Sequence, residues 1–266
     1  MSERPPGDVL RAFGVDGPPR PLPGGEGRSF SAGGLVLKPG AGPVLDWLAD
    51  ALADVHEDGF RLAAPVRSRD GTWSVAGWSA TRWVDGSQPD LSAPSTWLDI
   101  LGVGRALHRA VARLDRPTCL QARDDWWAVA DRVAWGEQEV ALGARFAGLG
   151  RRLRGALEPF GPSQVVHGDL TGNVLLSAAL PPAVIDFSPY WRPPAYAEGV
   201  VVADALCWHG ADASLMDRSG VPVPAVARAL LFRLVTTSQA VASGSGGADA
   251  DDCVRRYDVA AAAIGV

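Results

Sequence analysis

The sequence predicts an α+β fold of two lobes: a small antiparallel sheet that carries one helix, followed by a larger and mostly helical lobe. Short β-leaning runs bounded by Gly, Pro, Asp or Ser occupy residues 20–84, and longer helical periodicity takes over after residue 94. The chain has 266 residues, 47% of them hydrophobic, which is enough to bury a sizeable core. We place an N-terminal extension at residues 1–20, the small lobe at 21–88 and the large lobe at 89–266.

The small lobe is predicted from β-leaning runs and one amphipathic helix. The runs cover residues 20–30, 33–38, 60–66, 72–78 and 79–84. Between the second and third runs, the segment 43–55 places four apolar residues on one helical face: Leu45, Leu48, Leu52 and Val55. The segment 84–94, VDGSQPDLSAP, is rich in turn-forming residues and marks the boundary between the lobes.

The large lobe is predicted from helical stripes that flank two short apolar runs. Its first helix is indicated by Leu98, Leu101, Leu107, Val111 and Leu114, and two more are expected at 124–138 and 144–158. The runs SQVVHG and AVIDF look like strands. Helices are expected again near 196–209, 223–242 and 250–264.

Composition excludes several classes of partner and compartment. A net charge of -5 without a basic patch argues against nucleic-acid and anionic-membrane partners. Cys119, Cys207 and Cys253 are far apart and form no CxxC motif, which favours a reducing compartment. The start of the chain does not resemble a signal peptide, and no apolar run reaches the roughly 18 residues of a membrane span. We expect a cytoplasmic protein.

Two residue types that occur once in the chain indicate phosphate and metal chemistry. Lys38, in GGLVLKPG, is the only lysine among 25 basic residues, and its compact ammonium suits phosphate oxygens. The alternative, that one lysine survived in an arginine-biased composition, stays open on this residue alone. Asn173 is the only asparagine, and it lies between Asp169 and Asp186 near two predicted strand ends. Oxygen ligands of this kind suit Mg²⁺, and this set of residues suits phosphoryl transfer.

At these residues the chain resembles the aminoglycoside phosphotransferase and choline kinase group, relatives of protein kinases. HGDLTGN and VIDF are similar to the hallmark HGDxxxxN followed by an IDF or IDW strand, and ILGVGRALH and LPGGEGRSF also fit. The resemblance covers about residues 21 to 210 and implies a protein-kinase-like fold that uses ATP and Mg²⁺. It implies that Asp169 is the catalytic base or orienter, that Asn173 and Asp186 bind Mg²⁺, and that Lys38 contacts the α and β phosphates. It also implies that His167 and Asp204 brace the catalytic loop.

The chain departs from the family pattern in two places. Only three residues separate Asp169 from Asn173, where the family has four, so we expect an altered metal-ligand geometry or a displaced Asn173. After Asp186, SPYWRPPAYAEG replaces the usual glycine-containing continuation. The first departure concerns the metal site, and the second concerns the details of substrate binding.

Further nucleotide-binding residues are expected in the small lobe. Glycine backbone at Gly24, Gly25 and Gly27 is expected to approach the phosphates. A carboxylate of the helix at 43–55 is expected to pair with Lys38, the candidates being Asp46, Asp50 and Asp54. The adenine is expected against the backbone of Trp83, Val84 and Asp85, although Trp83 could equally be a core residue. We interpret Trp97, Trp126, Trp127 and Trp135 as packing residues rather than ligand platforms.

The function that follows is ATP-dependent phosphoryl transfer to a hydroxyl of a small molecule, such as an aminoglycoside-like compound, a sugar or an amino alcohol. Two alternatives remain: a nucleotide-binding pseudokinase or regulator that has lost transfer through its shortened loop, and an interaction protein that binds no nucleotide. A hydrolase built on His167 and Asp169 is disfavoured, because further metal ligands and a GxSxG motif are missing. An acidic pocket for polycations could come from Asp204, Asp212, Asp217 and residues 249–252, although an acidic run of this kind is usually a solvated loop or helix start.

Overall fold

The first half of the chain builds an antiparallel sheet, as a computed structural model that describes residues 4–23, 27–244 and 249–266 shows. Its strands are β1 (Arg20–Pro21), β2 (Phe30–Ala32), β3 (Leu35–Pro39), β5 (Pro65–Val66), β6 (Ser74–Val75) and β7 (Trp78–Arg82). They lie in the order β1-β2-β3-β7-β5, with β6 also paired to β7. The tight β6–β7 turn uses Ala76 and Gly77, both with positive φ, as a two-residue hairpin requires.

The sheet has its own small core, to which the N-terminal segment contributes. A short helix α1 (Gly7–Ala12) precedes the sheet and was not expected from the sequence. Its Val9 packs with Phe13, and this pair meets Phe30 and Leu37 of the sheet. The helix α2 (Pro43–Ala53) starts at a proline, which is suited to the first helical turn.

A second sheet connects the two halves of the chain. Strand β4 (Arg61–Leu62) runs parallel to β10 (Ala183–Val184), which pairs antiparallel with β9 (Val174–Leu175). The predicted run 60–66 is thus divided between two sheets: the Ala63 N–H donates to Val184, whereas the Ala64 carbonyl accepts from Arg82. Strand β8 (Gln164–His167) pairs with β11 (Pro189–Arg192) in a separate two-stranded ribbon.

The second half of the chain is mostly helical and surrounds one buried helix. Its elements are α3 (Thr96–Ala110), a 3-10 helix (Thr118–Ala122), α4 (Trp126–Ala134), α5 (Ala144–Gly155), α6 (Pro194–Trp208), α7 (Ser214–Ser219), α8 (Val223–Ala242) and α9 (Ala250–Ala263). Helix α8 packs against α4, α5, α6 and α9. Among the described residues, no helix is both long and apolar enough to span a membrane.

The predicted fold class is confirmed. The expected helices are present, with ends shifted by a few residues. The helix predicted at 124–138 is α4 at 126–134. It starts at Trp126 because the Asp125 side chain caps it by accepting from the Ala128 N–H at 3.0 Å, and it ends at Ala134, shortly before Gly136 with its φ of 70°. Helices α1 and α7 and strand β11 were not expected. The division into lobes at residue 88 stays a prediction.

A buried ion pair fixes the ribbon strand that follows the second candidate metal ligand. Arg192 of β11 donates to both oxygens of Asp131 in α4 at 2.6 to 3.2 Å, and also to Glu137. The side chains of Arg192 and Asp131 are buried, whereas that of Glu137 is half exposed. Removing one partner of a buried pair leaves an uncompensated charge, which costs more than losing an exposed partner.

We therefore expect Asp131→Ala to lower the free energy of unfolding by about 3 kcal/mol, and Glu137→Ala by about 1 kcal/mol or less. Urea denaturation of both variants, followed by circular dichroism, measures the difference. Equal losses in the two variants would contradict the assignment of the buried pair as the main anchor of β11.

Candidate active site

Two adjacent strand ends carry the candidate catalytic and metal-binding side chains. β8 ends at His167 and leads into the loop that holds Asp169 and ends at Asn173, immediately before β9. Strands β9 and β10 are antiparallel, and the Ile185 N–H donates to the Asn173 carbonyl at 2.9 Å. Because β10 leads directly to Asp186, this pairing places Asn173 and Asp186 at the same end of neighbouring strands.

The ring of His167 forms hydrogen bonds with the loop that carries Asp169 and with the segment after β10. Its Nδ1 accepts hydrogen bonds from the Asp169 N–H at 3.1 Å and the Ser188 N–H at 3.4 Å. Because Nδ1 accepts, the proton lies on Nε2, which faces the Ile185 carbonyl at 3.3 Å. The His167 N–H in turn donates to Nε2 of His108 in α3 at 3.1 Å. His167 thus connects the loop and the segment after β10 through its ring, and helix α3 through its backbone N–H.

Burial keeps both histidines neutral. It lowers the pKa of His167 to about 4, although the nearby Asp169 carboxylate acts in the opposite direction. Burial, together with the proximity of His167, lowers the pKa of His108 to about 3. Both rings are therefore uncharged at neutral pH, and His167 is a poor candidate for a general base.

A tight turn accommodates the shortened interval between Asp169 and Asn173. The Asn173 N–H donates to the Leu170 carbonyl at 3.0 Å, and Gly172 adopts a φ of 81°, a left-handed conformation that favours glycine. The Asn173 side-chain amide donates to the Asp169 carbonyl at 2.7 Å. The structure therefore holds Asn173 beside Asp169 across three intervening residues rather than displacing it outward.

Asp169 is connected to Asp204 through an arginine that the sequence analysis did not single out. Arg233 of α8 donates to Asp169 at 2.8 Å and to both oxygens of Asp204 at 2.7 and 2.8 Å. Burial disfavours the charge of Arg233, but the two carboxylates outweigh it and raise the pKa of the guanidinium well above its ordinary value. Asp204 thus contacts the loop through Arg233. The sequence did contain an indication of this contact. Arg233 lies within the apolar run ALLFRLV, and an arginine that is buried with such a run needs a charged partner.

Lys38 contacts Asp186, not a helix carboxylate. It lies on β3 opposite Ser79 of β7, and its ammonium pairs with the Asp186 carboxylate across the lobes. The expectation that α2 supplies the partner of Lys38 is wrong for Asp50, which accepts from Arg67 at 2.7 Å and from the Trp73 indole at 2.9 Å. For Asp46 and Asp54 the structure shows no contact with Lys38 among the described residues. The physical reason is that the Asp50 carboxylate is already engaged by Arg67 and Trp73, whereas the Asp186 carboxylate lies within contact of the Lys38 ammonium.

The segment that joins the lobes leaves backbone polar groups available. The Trp83 N–H donates to Gly34, and the Asp85 carbonyl accepts from Arg61 at 2.6 Å, so these two groups are occupied. Neither polar backbone group of Val84 has a partner in the described part of the chain. The Trp83 side chain is 46% exposed, which excludes the core alternative for this residue.

The glycine-rich turn is described only in part. Gly24 and Gly25 lie outside the described residues. Gly27 has a φ of 70°, and a side chain there would meet nothing within 4 Å. The positive φ is the conformation that glycine permits at a turn close to a ligand.

A cavity of about 310 Å³ opens beside Asp169, and we call it the acceptor pocket. Its charged members are Asp169, Asp204 and Arg233. Its other members carry hydroxyls or aromatic rings: Trp127, Thr171, Trp208, His209, Thr236, Thr237 and Tyr257. Trp127 was interpreted as a packing residue, but it is 40% exposed and lines this pocket, whereas Trp97 is fully buried as expected.

The oxygen donors fit a hard divalent cation that is also held by phosphates. The Asn173 amide nitrogen faces Asp169, which leaves its oxygen as an acceptor, and the Asp186 side chain is 53% exposed. In the described residues no three His, Cys, Asp or Glu side chains cluster to hold a metal alone. One carboxylate, one amide and phosphate oxygens are the set that Mg²⁺ uses at nucleotide sites.

The fold and these residues define a kinase-like phosphotransferase, and the sequence belongs to a known family of that class. The model of the phosphotransferase enzyme family (APH) matches residues 35–230, more than half of the chain. The chain is therefore a member of the phosphotransferase enzyme family. A search of curated protein sequences finds no match.

Solved structures of related enzymes share the fold. An aminoglycoside phosphotransferase from Alicyclobacillus acidocaldarius superposes with a TM-score of 0.63 at 17% identity, covering 100% of this chain and 94% of that one. A thermostable mutant of aminoglycoside phosphotransferase APH(4)-Ia, in ternary complex with AMP-PNP and hygromycin B, gives 0.59 at 16% identity, covering 97% of each chain. A choline/ethanolamine kinase family protein from Mesorhizobium loti gives 0.57 at 18% identity, covering 95% and 90%. At these identities the likeness concerns the fold.

The neutral histidines predict an acid-sensitive fold. Their folded-state pKa values of about 4 and 3 lie below the ordinary 6.5, so below pH 6.5 the unfolded chain binds protons that the folded chain does not. The free energy of unfolding should fall between pH 6.5 and 5 by up to about 1.4 kcal/mol per pH unit for each histidine.

The matched variants are His108→Gln, which keeps an acceptor for the His167 N–H, and His56→Gln at an exposed position. Urea denaturation at several pH values should show a shallower dependence for His108→Gln and an unchanged one for His56→Gln. The same slope in all three proteins would contradict the neutral state of His108.

Proposed function

We propose that this phosphotransferase moves the γ-phosphoryl group of ATP to a hydroxyl of a small molecule, with Mg²⁺ as the cofactor. The observation that carries the proposal is the convergence of Lys38, Asp186, Asn173 and Asp169 where the two lobes meet. The solved relative that holds AMP-PNP and hygromycin B together supports the pairing of a nucleotide with a small hydroxyl compound.

On the nucleotide side, Lys38 and Asp186 form a partly exposed pair that phosphate oxygens can enter. An exposed pair is worth roughly 0 to 1 kcal/mol, so exchanging it for contacts to a triphosphate costs little. We assign Lys38 to the phosphates and the polar groups of Val84 to the adenine. Mg²⁺, held by Asn173 and Asp186, would supply neutralisation of the phosphate charge.

On the acceptor side, Asp169 faces the acceptor pocket. We assign it the role of orienting the attacking hydroxyl and receiving its proton. The acceptor oxygen forms a bond to the γ-phosphorus, the bond from that phosphorus to the β–γ bridging oxygen breaks, and ADP leaves with the electron pair. Arg233 holds Asp169 in a fixed direction, and such positioning is the main part of catalysis in phosphoryl transfer.

The pseudokinase alternative is not favoured by the geometry of the loop. Its premise is that the missing residue displaces Asn173 from the metal site. The turn at Gly172 instead keeps the Asn173 amide within 2.7 Å of the Asp169 carbonyl. This contact supports an active arrangement.

For the setting of the reaction, we propose a cytoplasmic enzyme without nucleic-acid or membrane partners. The net charge of -5 and the three cysteines without disulfides support this proposal.

The assignment of Asp169 is tested by Asp169→Asn. The variant keeps the shape of the side chain but removes the carboxylate, so we expect ATP binding to persist and acceptor-dependent ADP release to fall by a factor of about 10² or more. Calorimetry measures binding, and a coupled assay with a panel of hydroxyl compounds measures ADP. The control Asp258→Asn alters an exposed carboxylate paired with Arg152 and should keep full activity. Full activity in Asp169→Asn would refute the assignment.

A further inference from the structure

The carboxylates of the acceptor pocket are already engaged. Asp169 and Asp204 both accept from Arg233, at 2.7 to 2.8 Å, so the three side chains carry a net charge of only -1. The side chain of Asp204 is also buried, which keeps it from a ligand. A polycation needs several accessible carboxylates for its ammonium groups, because each desolvated charge requires a partner.

Three acidic residues that could have enlarged this negative charge have partners elsewhere. Asp212 accepts from the Ser214 N–H at 2.9 Å, Asp251 pairs with Arg145, and Asp252 pairs with arginines of its own helix. Of the residues suggested for an acidic pocket, only Asp204 lines the acceptor pocket; Asp212, Asp217 and residues 249–252 do not. Asp212, Asp251 and Asp252 form caps and surface pairs of α7 and α9.

Two tryptophans give the pocket apolar walls. Trp127 and Trp208 are 40% and 37% exposed and both line the cavity. Each ring packs against an aromatic neighbour: Trp127 lies 6.1 Å from Phe232 and Trp208 lies 5.6 Å from Tyr257, measured between ring centroids. Partly exposed rings that are packed in this way suit a ligand that presents a C–H or ring face.

Hydroxyl groups provide the remaining polar surface. Thr237 is partly exposed and forms a hydrogen bond of 2.8 Å with the buried Tyr257, and the Thr237 hydroxyl retains capacity to bind a further group. The Oγ1 of Thr171, two residues after Asp169, is buried and lacks a partner in the described part of the chain. A buried hydroxyl is normally hydrogen-bonded, and a ligand hydroxyl near Asp169 would be a hydrogen-bond partner for Thr171.

From these features we infer that the acceptor is an uncharged polyhydroxyl ring compound of about monosaccharide size, not a polycation. The inference rests on the proposed phosphotransfer. The pocket volume of about 310 Å³ lies at the lower end of ligand pockets, which span roughly 300 to 1,000 Å³, and accommodates one ring. Asp169 takes the hydroxyl that reacts, the tryptophans take the C–H face, and Thr171 with Thr237 takes the other hydroxyls.

The first test measures binding without nucleotide by tryptophan fluorescence. The neutral probes are D-glucose, myo-inositol and N-acetyl-D-glucosamine, and the cationic probes are D-glucosamine and 2-deoxystreptamine. We expect a saturable change with at least one neutral probe and at least tenfold weaker binding of its cationic counterpart. Trp127→Phe should abolish most of the change, whereas Trp126→Phe should keep it, because Trp126 is similarly exposed but does not line the pocket.

The second test measures ADP release with ATP, Mg²⁺ and the same probes. Neutral probes that bind but release no ADP would refute the phosphotransfer and leave the inferred ligand class standing. Release of ADP that is fastest with 2-deoxystreptamine would support the phosphotransfer and overturn the inferred class. Absence of binding by every neutral probe would also overturn it.

A variant that frees the Asp169 carboxylate while the net charge of the three positions stays at -1 tests whether the engagement of Asp169 is the cause. Asp204→Asn combined with Arg233→Gln removes both partners of the buried pair together, so no buried charge is left alone and Asp169 becomes unpaired. We expect the preference for N-acetyl-D-glucosamine over D-glucosamine, measured as a ratio of kcat/KM or of binding constants, to fall by about tenfold. An unchanged ratio in the folded variant would contradict the role of Arg233 in excluding cations.

Discussion

The geometry of the site depends on one buried imidazole, that of His167. It accepts from the backbone of Asp169 and of Ser188 and receives support from His108, so it positions the loop and the segment after Asp186 together. Replacing it with an apolar residue would leave buried N–H groups without acceptors, each at a cost of about 1 to 3 kcal/mol. The neighbouring Gly168 is required by the same packing, because a Cβ there would lie 2.4 Å from the ring of Tyr190.

The candidate site contains two ion pairs that differ in their exposure to solvent. The Lys38–Asp186 pair is partly exposed and joins the lobes, so it can open for a ligand at little cost. The Arg233–Asp204 pair is buried beneath Asp169 and is costly to break, so it is a permanent part of the structure. On the proposed assignment, the pair on the nucleotide side can exchange partners, whereas the pair on the acceptor side stays fixed.

Local patterns in the sequence predicted the parts of this structure that depend on neighbouring residues. Helical stripes such as Leu98 to Leu114 located α3, and HGDLTGN with VIDF indicated the loop and strand that carry the candidate site. Contacts between distant segments were not predictable in this way. The bond from Arg233 to Asp169 spans 64 positions, and the partner of Lys38 lies 148 positions away rather than in the next helix. The position of Asn173 after the shortened interval was not predictable either, because it depends on the backbone turn at Gly172.

The central claim is that the shortened loop still presents Asn173 and Asp186 to a metal-bound nucleotide. Calorimetric titration of ATP with and without Mg²⁺, on the native protein and on Asn173→Ala, tests it most directly. We predict binding that strengthens with Mg²⁺ in the native protein, and a loss of that dependence in the variant. Binding that is indifferent to both the metal and Asn173 would contradict the claim.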